Sequence, residues 1–288
     1  MSGATLRERL HQPGILVVPG AYDALTARLV EEAGFPAVYA TGAGIANSQF
    51  ALADVGLVSF GEMLQQVARI TAAVSIPVIV DADTGYGDTP NVTRTVKELA
   101  RLGVAAIQLE DQAEPKRCGH FAGKRVVSPA EMVGRLRAAL DARPGPDPLI
   151  IARTDARAEL GLEEALARAR TYAEVGAEVT FVEAPRSREE LARIPRELPV
   201  PQLVNMVEGG LTPLLPAREL ETMGYRILLH ANAALRASVK AVQRVLAVLA
   251  AQGTTAGCLS DLITMEERNR ITRLAELEVL ADKYRAPA

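Results

Sequence analysis

The sequence predicts one closed (β/α)8 barrel with an extra helical arm after its eighth strand. Three observations carry that expectation. Short, β-branched apolar runs alternate eight times with longer amphipathic stretches, the pattern of βα units and a parallel sheet. The length of 288 residues allows either two domains or one large barrel, since such barrels run to about 250 residues as a single unit. No Ser/Gly-rich linker divides the chain, so the barrel (residues 1–252) and the arm (253–288) are read as parts of one domain. A doubly wound open sheet has the same strand count, but no Gly-x-Gly-x-x-Gly follows the first strand, which weakens a dinucleotide-binding version.

The strands are expected at Ile15 to Pro19, Ala37 to Ala40, Pro77 to Val80, Val104 to Leu109, Leu149 to Ala152, Glu178 to Val182, Gln202 to Asn205 and Tyr225 to Leu229. Each is short and nearly wholly apolar, as a strand covered on both faces must be. Helical patterns run between them over Asp23 to Ala33, Phe60 to Thr71, Asn91 to Leu102, Pro129 to Ala142, Leu162 to Val175 and Ser187 to Ile194. Ser128 with Glu131 three residues on, and Pro129 at the first helical position, has the form of a capping box. Gly34, Gly103 and Gly176 follow helices where a left-handed residue is favoured. After the eighth strand come a long Ala/Leu/Val-rich helix, Ala233 to Ala251, a turn at Gly253, and a further helical segment from Thr264 to Tyr284. That is one helix more than a barrel needs, and its apolar residues form a packing face for its own barrel or for a neighbour.

Composition excludes several classes. With 32 basic against 35 acidic residues and no block of one sign, neither a polyanion-binding stripe nor an acidic tail is present, so no nucleic-acid partner is expected. The N-terminus lacks an apolar signal region and no apolar run approaches the ~20 residues of a membrane span, so a cytoplasmic protein with no membrane partner is expected. Two cysteines far apart, Cys118 and Cys258, make a poor disulfide framework.

In a barrel the chemistry sits at the C-terminal ends of the strands. Here those ends are acidic. The third strand runs into Asp81-Ala82-Asp83-Thr84-Gly85-Tyr86-Gly87, the fourth into Glu110-Asp111-Gln112, the fifth into Arg153-Thr154-Asp155 and the sixth into Glu183, while the seventh ends at Asn205. If the third strand continues, Asp81 and Asp83 share a face and lean toward one centre. Clustered carboxylates repel unless a cation or proton lies between them, and oxygen ligands without a histidine cluster favour Mg2+, or Mn2+, over zinc. A single such acid reads equally well as a helix cap or loop residue; several at adjacent strand ends do not. The second cluster, Lys116-Arg117-Cys118-Gly119-His120, lies in a long polar loop after the fourth strand, of the kind that serves as a lid. Cations around Cys118 favour its thiolate and suit the thiol to proton transfer near neutral pH. Cys258, His11 and His230 have no such surroundings and are read as structural.

These motifs, together with Ile151-Ala152-Arg153-Thr154-Asp155-Ala156 and Asn205-Met206-Val207-Glu208-Gly209-Gly210, resemble the isocitrate lyase/phosphoenolpyruvate mutase superfamily over essentially the whole chain. The Lys-Arg-Cys-Gly-His form is similar to the 2-methylisocitrate lyase, 2,3-dimethylmalate lyase and carboxyphosphonoenolpyruvate phosphonomutase branches. The resemblance implies a (β/α)8 barrel, Mg2+, an α-oxycarboxylate ligand, and a homotetramer whose C-terminal helices are exchanged between subunits. By position, Asp81 and Asp83 would hold the metal, with Glu110 and Asp54 supporting its waters. Thr41, Gly42 and Ala43 would offer donors to one substrate carboxylate, and Gly119, Arg153, Glu183, Asn205 and Arg236 would complete the substrate site. Cys118 is the expected acid, Tyr39 the expected base assisted by Arg153, and Lys116, His120 and Glu183 complete the catalytic set.

The implied reaction is Mg2+-dependent cleavage of the C2–C3 bond of a 2-hydroxy di- or tricarboxylate to an α-keto acid such as pyruvate and a carboxylate. Where methylisocitrate-cleaving members carry Pro-Leu-Ser after the eighth strand, this chain has Ala231-Asn232-Ala233, and Met265 stands where an Arg is expected. Loss of a cation weakens recognition of an extra carboxylate, which favours an alkylated malate over a tricarboxylate. A phosphonomutase and an oxaloacetate decarboxylase are alternatives on the same site, and a barrel that only binds is the non-enzymatic one.

Overall fold

The computed structural model describes residues 3–119 and 123–285. Eight parallel strands close in sequential order into a barrel: β1 (Leu16–Ala21), β2 (Val38–Ala40), β3 (Val78–Asp81), β4 (Ala106–Glu110), β5 (Leu149–Thr154), β6 (Val179–Val182), β7 (Gln202–Asn205) and β8 (Ile227–His230). β8 returns to β1 with Leu16 beside Ile227 and Pro19 beside His230. The helices are α1 (Gly3–His11), α2 (Ala24–Glu32), α3 (Gly42–Phe50), α4 (Phe60–Ala73), α5 (Thr89–Arg101), α6 (Pro129–Ala142), α7 (Ala156–Leu160), α8 (Leu162–Val175), α9 (Arg188–Glu197), α10 (Ala217–Met223), α11 (Ala233–Gln252), α12 (Met265–Ile271) and α13 (Leu274–Lys283). The chain forms two compact units, Met1–Ala234 and Leu235–Ala288. All eight strands lie in the first, and most of α11 lies in the second.

Strand alternation sorts the apolar residues into two layers. Ile79, Ala106, Ile151, Val179, Leu203 and Ile227 belong to one buried cluster together with Leu6 and Leu10 of α1. Val78, Val80, Ile107, Leu109 and Ile150 pack instead with helix residues such as Val67, Val96 and Leu136. The first set fills the barrel and the second seats its helices, as a period of two requires. α1 therefore closes the N-terminal end of the barrel with two leucines one turn apart. Its Ala4 N–H donates to Asp147 Oδ2 at 2.9 Å, which satisfies a donor left over at the helix start.

Each expected strand is present, and the differences bear on the site. β5 continues to Thr154, so Arg153 is a strand residue in register with Glu110. β3 stops at Asp81, and Asp83 adopts φ +48°, outside the strand region. The shared face expected for the two acids does not arise; a turn brings them together instead. Gly85 closes that turn at φ +92°, with its N–H 2.8 Å from the Ala82 carbonyl, and a Cβ there would lie 2.5 Å from Val92 Cγ2.

On α6, Ser128 accepts from the Glu131 N–H at 3.2 Å, but the Glu131 carboxylate accepts from Arg135 at 2.8 Å rather than completing the capping box. The reciprocal box forms at Ser59 and Glu62, at the start of α4. The helical segment expected over Thr264 to Tyr284 is interrupted, because Arg273 takes φ +57° between α12 and α13. α1, α3, α7 and α10 lie outside the expected set.

Candidate active site

Asp81 at the end of β3, Asp83 in the turn after it, and Glu110 at the end of β4 bring one carboxylate oxygen each within 4.8 Å of one another. Burial pushes the Asp83 carboxyl up to about 7, against the pull of Lys116. Burial likewise raises Glu110 well above its ordinary range although Arg153 opposes it, and its buried Oε1 has no hydrogen-bond partner. Three clustered acids, two of them with raised pKa values and one with an orphaned oxygen, fit a cation held by oxygen ligands alone. The group could bind a metal.

Lys116 supplies positive charge from the other side. Its buried ammonium pairs with Asp54 and lies 2.7 Å from Asp83 Oδ1. Burial works against that charge, but Asp83 and Asp54 outweigh it and lift the pKa well above its ordinary value. Asp54 is thus engaged through Lys116 and stands outside the trio.

Arg153 is the electrostatic hub of the opposite wall. Its guanidinium donates to Asp155 at 2.8 and 3.0 Å, lies 3.2 Å from Glu183 and 3.4 Å from Glu110, and covers the Phe181 ring at 5.3 Å. Burial disfavours the Asp155 anion, yet Arg153 and then Lys124 hold its carboxyl below the usual range.

The loop after β4 is seated against this wall. Gln112 accepts from the Arg117 N–H at 2.9 Å and donates to the Arg117 carbonyl at 2.8 Å. Lys124, whose side chain is fully buried, donates to the Gly119 carbonyl and stands 3.6 Å from Asp155. Gly119 has no room for a side chain, since a Cβ would come within 2.7 Å of Glu183 Cγ. His120, expected in the catalytic set, lies outside the described residues.

Asp54, Asp81, Arg153, Glu183 and the Cys118–Gly119 segment open on a cavity of about 230 Å3 at the C-terminal end of the strands, with Asp83, Glu110 and Lys116 behind its wall. Tyr39, Thr41, Ala43, Asp54 and Asp81 line it on one side, and Cys118, Gly119, Arg153, Glu183 and Asn205 on the other. Most of the residues expected from sequence thus meet at one place. Gly42 stands beside them with its N–H donated to Asp81 Oδ2 at 3.2 Å, so that donor is already used. Thr41 caps α3 by accepting from the Gly44 N–H at 3.3 Å. The Asn205 Oδ1 is buried without a hydrogen-bond partner. Arg236 stands on α11, in the second unit.

Tyr39 donates its hydroxyl to Gln108 at 2.9 Å. Burial and the Asp81 charge push its pKa well up, so without a cation the phenol keeps its proton, which opposes the expected role as base. Two residues outside the expected set also shape the site, Gln108 and Lys124. Gln108 is a lone amide inside an otherwise apolar strand, which is a readable anomaly. Lys124 is one cation among several in a polar loop, and nothing in its neighbours signals burial.

The sequence profile of the phosphoenolpyruvate phosphomutase family matches residues 6–250. The chain is 44% identical over 283 residues to 2,3-dimethylmalate lyase of Eubacterium barkeri, covering 98% of both proteins. It is also 44% identical over 265 residues to 2-methylisocitrate lyase of Aeropyrum pernix, covering 92% of this chain and 85% of that protein. Among solved structures, oxaloacetate acetylhydrolase in complex with the inhibitor 3,3-difluorooxalacetate superposes with a TM-score of 0.93 at 36% identity, covering 100% of this chain and 98% of that one.

Proposed function

The chain belongs to the phosphoenolpyruvate phosphomutase family, and from that premise we propose that it is a Mg2+-dependent carbon–carbon lyase acting on an alkylated malate. The observation that carries this reading is the seating of Cys118 in the wall of the same cavity as Tyr39, Asp81 and Arg153. Cleavage of a C2–C3 bond leaves a carbanion at C3 that must be protonated, and a thiol at that position supplies the proton. Phosphoryl transfer makes no such demand. The likeness to 2,3-dimethylmalate lyase and 2-methylisocitrate lyase supports the same reaction class.

Asp81, Asp83 and Glu110 would hold the cation, with Mn2+ as a substitute. When bound, it supplies a positive centre that gathers the carboxylate and 2-oxygen of the ligand and polarises them. The protein does the rest. Arg153 and Asn205, whose Oδ1 is buried without a hydrogen-bond partner, present polar groups to the ligand from the cavity wall. Phe181, Val207, Leu229 and Ala231 give the cavity an apolar stretch of wall. That wall suits alkyl substituents better than a third carboxylate, and with Ala231-Asn232-Ala233 it favours 2,3-dimethylmalate over 2-methylisocitrate.

The likeness to oxaloacetate acetylhydrolase supports oxaloacetate as the second substrate class to be tried. Coupled detection of pyruvate from 2,3-dimethylmalate and 2-methylisocitrate, and of oxalate from oxaloacetate, the product carried by the acetylhydrolase structure, each with and without EDTA, is the test. Cation-dependent release from dimethylmalate is expected to dominate. Strong preference for methylisocitrate overturns the substrate, and absence of pyruvate from both hydroxyacids overturns the lyase.

We read the assembly as a cytoplasmic homotetramer with exchanged arms. No helix among the described residues is long and apolar enough to cross a membrane. Val239, Val242, Leu246 and Leu249 form an exposed apolar stripe along α11. Separately, an apolar groove of about 340 Å3, lined by Val17, Leu29, Val30 and Phe35 among others, lies on the barrel wall. A second copy's α11 is the proposed occupant, and a monomer by light scattering would refute it.

A further inference from the structure

The buried core beneath the cavity contains a short chain of hydrogen bonds whose direction can be derived. Gln108 lies on β4 with no exposed surface. Its Nε2 donates to Asp81 Oδ1 at 3.2 Å, and its Oε1 accepts from the Tyr39 hydroxyl at 2.9 Å. The amide cannot be turned the other way. Asp81 also accepts from the Gly42 N–H at Oδ2, 3.2 Å, and from the Asp83 N–H at Oδ1, 3.4 Å. A carboxylate surrounded by donors only accepts, so it must face the NH2 end of Gln108. The carbonyl end then faces Tyr39, and the phenol must donate.

A phenol has one proton and two acceptor sites. With that proton spent on Gln108, Tyr39 presents only acceptor capacity to the cavity that it lines with Asp81 and Arg153. A ligand hydroxyl there finds a partner. A carbonyl oxygen meets a second acceptor and leaves two buried oxygens opposed, which costs affinity.

We propose that Gln108 is a positioning residue that fixes the hydrogen-bond direction of Tyr39, so that the pocket selects a ligand that donates at C2, a 2-hydroxy acid, over its 2-oxo counterpart. This rests on the lyase reading and deepens it. Substrate of that reaction carries the 2-hydroxyl and the keto acid product lacks it, so the same geometry that holds the substrate loosens the product. Gln108 touches no ligand itself, and its neighbours Asp81 and Tyr39 keep the stated direction whether or not a cation engages the free side of Asp81.

The test compares two ligands that differ only at C2. Dissociation constants of lactate and pyruvate are measured by ligand-observed NMR at saturating Mg2+ for the wild type, for Gln108→Met, which keeps the shape of the side chain without its polar atoms, and for Tyr39→Phe. Wild type is expected to prefer lactate by about tenfold, the usual scale for one mismatched buried hydrogen bond. In Gln108→Met the phenol is released to donate to either ligand, and the preference should shrink to within about twofold. Tyr39→Phe should lose it as well, and carries the test if Gln108→Met does not fold. Equal binding in the wild type, tighter binding of pyruvate, or a preference that survives in the variants overturns the role of Gln108 and leaves the lyase reading intact. Failure of both ligands to bind the wild type overturns the lyase reading and this inference with it.

Discussion

The two ends of the barrel obey opposite rules. At the N-terminal end, α1 inserts Leu6 and Leu10 into the interior cluster, and the charges around it are paired where water can still reach. Arg7 and Asp147 meet at 2.8 Å with 29% and 27% of their side chains exposed, and Arg143 reaches Glu178 at 2.6 Å. At the C-terminal end, acids and cations are packed into a nearly dry space. Glu110 keeps an orphaned oxygen and Asp83 resists ionisation. At the first end these carboxylates are all met by cations, although Arg143 Nε is left over; at the second, Glu110 Oε1 and Asn205 Oδ1 are buried acceptors with no donor. Buried groups left in that condition lower stability, and they persist where a ligand or ion completes them.

That contrast can be broken first at the C-terminal end. Cys118→Ser should lower turnover by about 10²- to 10⁴-fold, the usual worth of a positioned acid, while the thermal midpoint and Mg2+ affinity stay near the wild type. Unchanged pyruvate release would remove the acid role. Leu6→Ala should do the reverse, costing about 2–5 kcal/mol of stability for a large buried aliphatic side chain with kcat of the folded fraction preserved. Denaturant melts and initial rates on the same sample would separate the two. A loss of kcat without loss of stability would show that the plug reaches the chemistry.

The smallest expected effect is in pH. Asp83 has an ordinary carboxyl pKa of 3.8 and is pushed up to about 7 in the fold. The folded state therefore holds a proton that the unfolded chain gives up earlier. Its contribution is fully present below the ordinary value and is lost as pH rises through 7. In EDTA, stability should accordingly fall between about pH 5 and 7.5, and added Mg2+ should recover more of it at the upper end, because ligands must lose protons to bind metal. Melting curves across that range, with and without Mg2+, check the sign. Rising stability in EDTA over the same window would mean that Asp83 is ionised throughout.

Much of the fold is legible in the sequence. Periodicity alone located the strands, and Gln202–Asn205, Pro129–Ala142 and Leu162–Val175 keep their expected bounds, since an apolar run between strong turn signals leaves little choice. The acids at the strand ends and the Cys118 loop were readable for the same reason. What was not legible depends on tertiary contacts. α3 begins Gly42-Ala43-Gly44, and two glycines oppose helix formation by about 1 kcal/mol each; the helix exists because Thr41 caps it and Ile45 is buried. Asp83 joins Asp81 through a left-handed turn rather than strand alternation, and no pattern of period two encodes that. Lys124 is buried only because Asp155 and the Gly119 carbonyl are there to receive it.

The leucine plug of α1 also governs traffic. With the base stoppered and the barrel filled by side chains, a ligand enters and its two fragments depart on the same side, past the segment that carries Cys118 and Gly119. The larger fragment cannot leave through the floor while the smaller one waits. Exit order is then set by which fragment lies nearer that mouth.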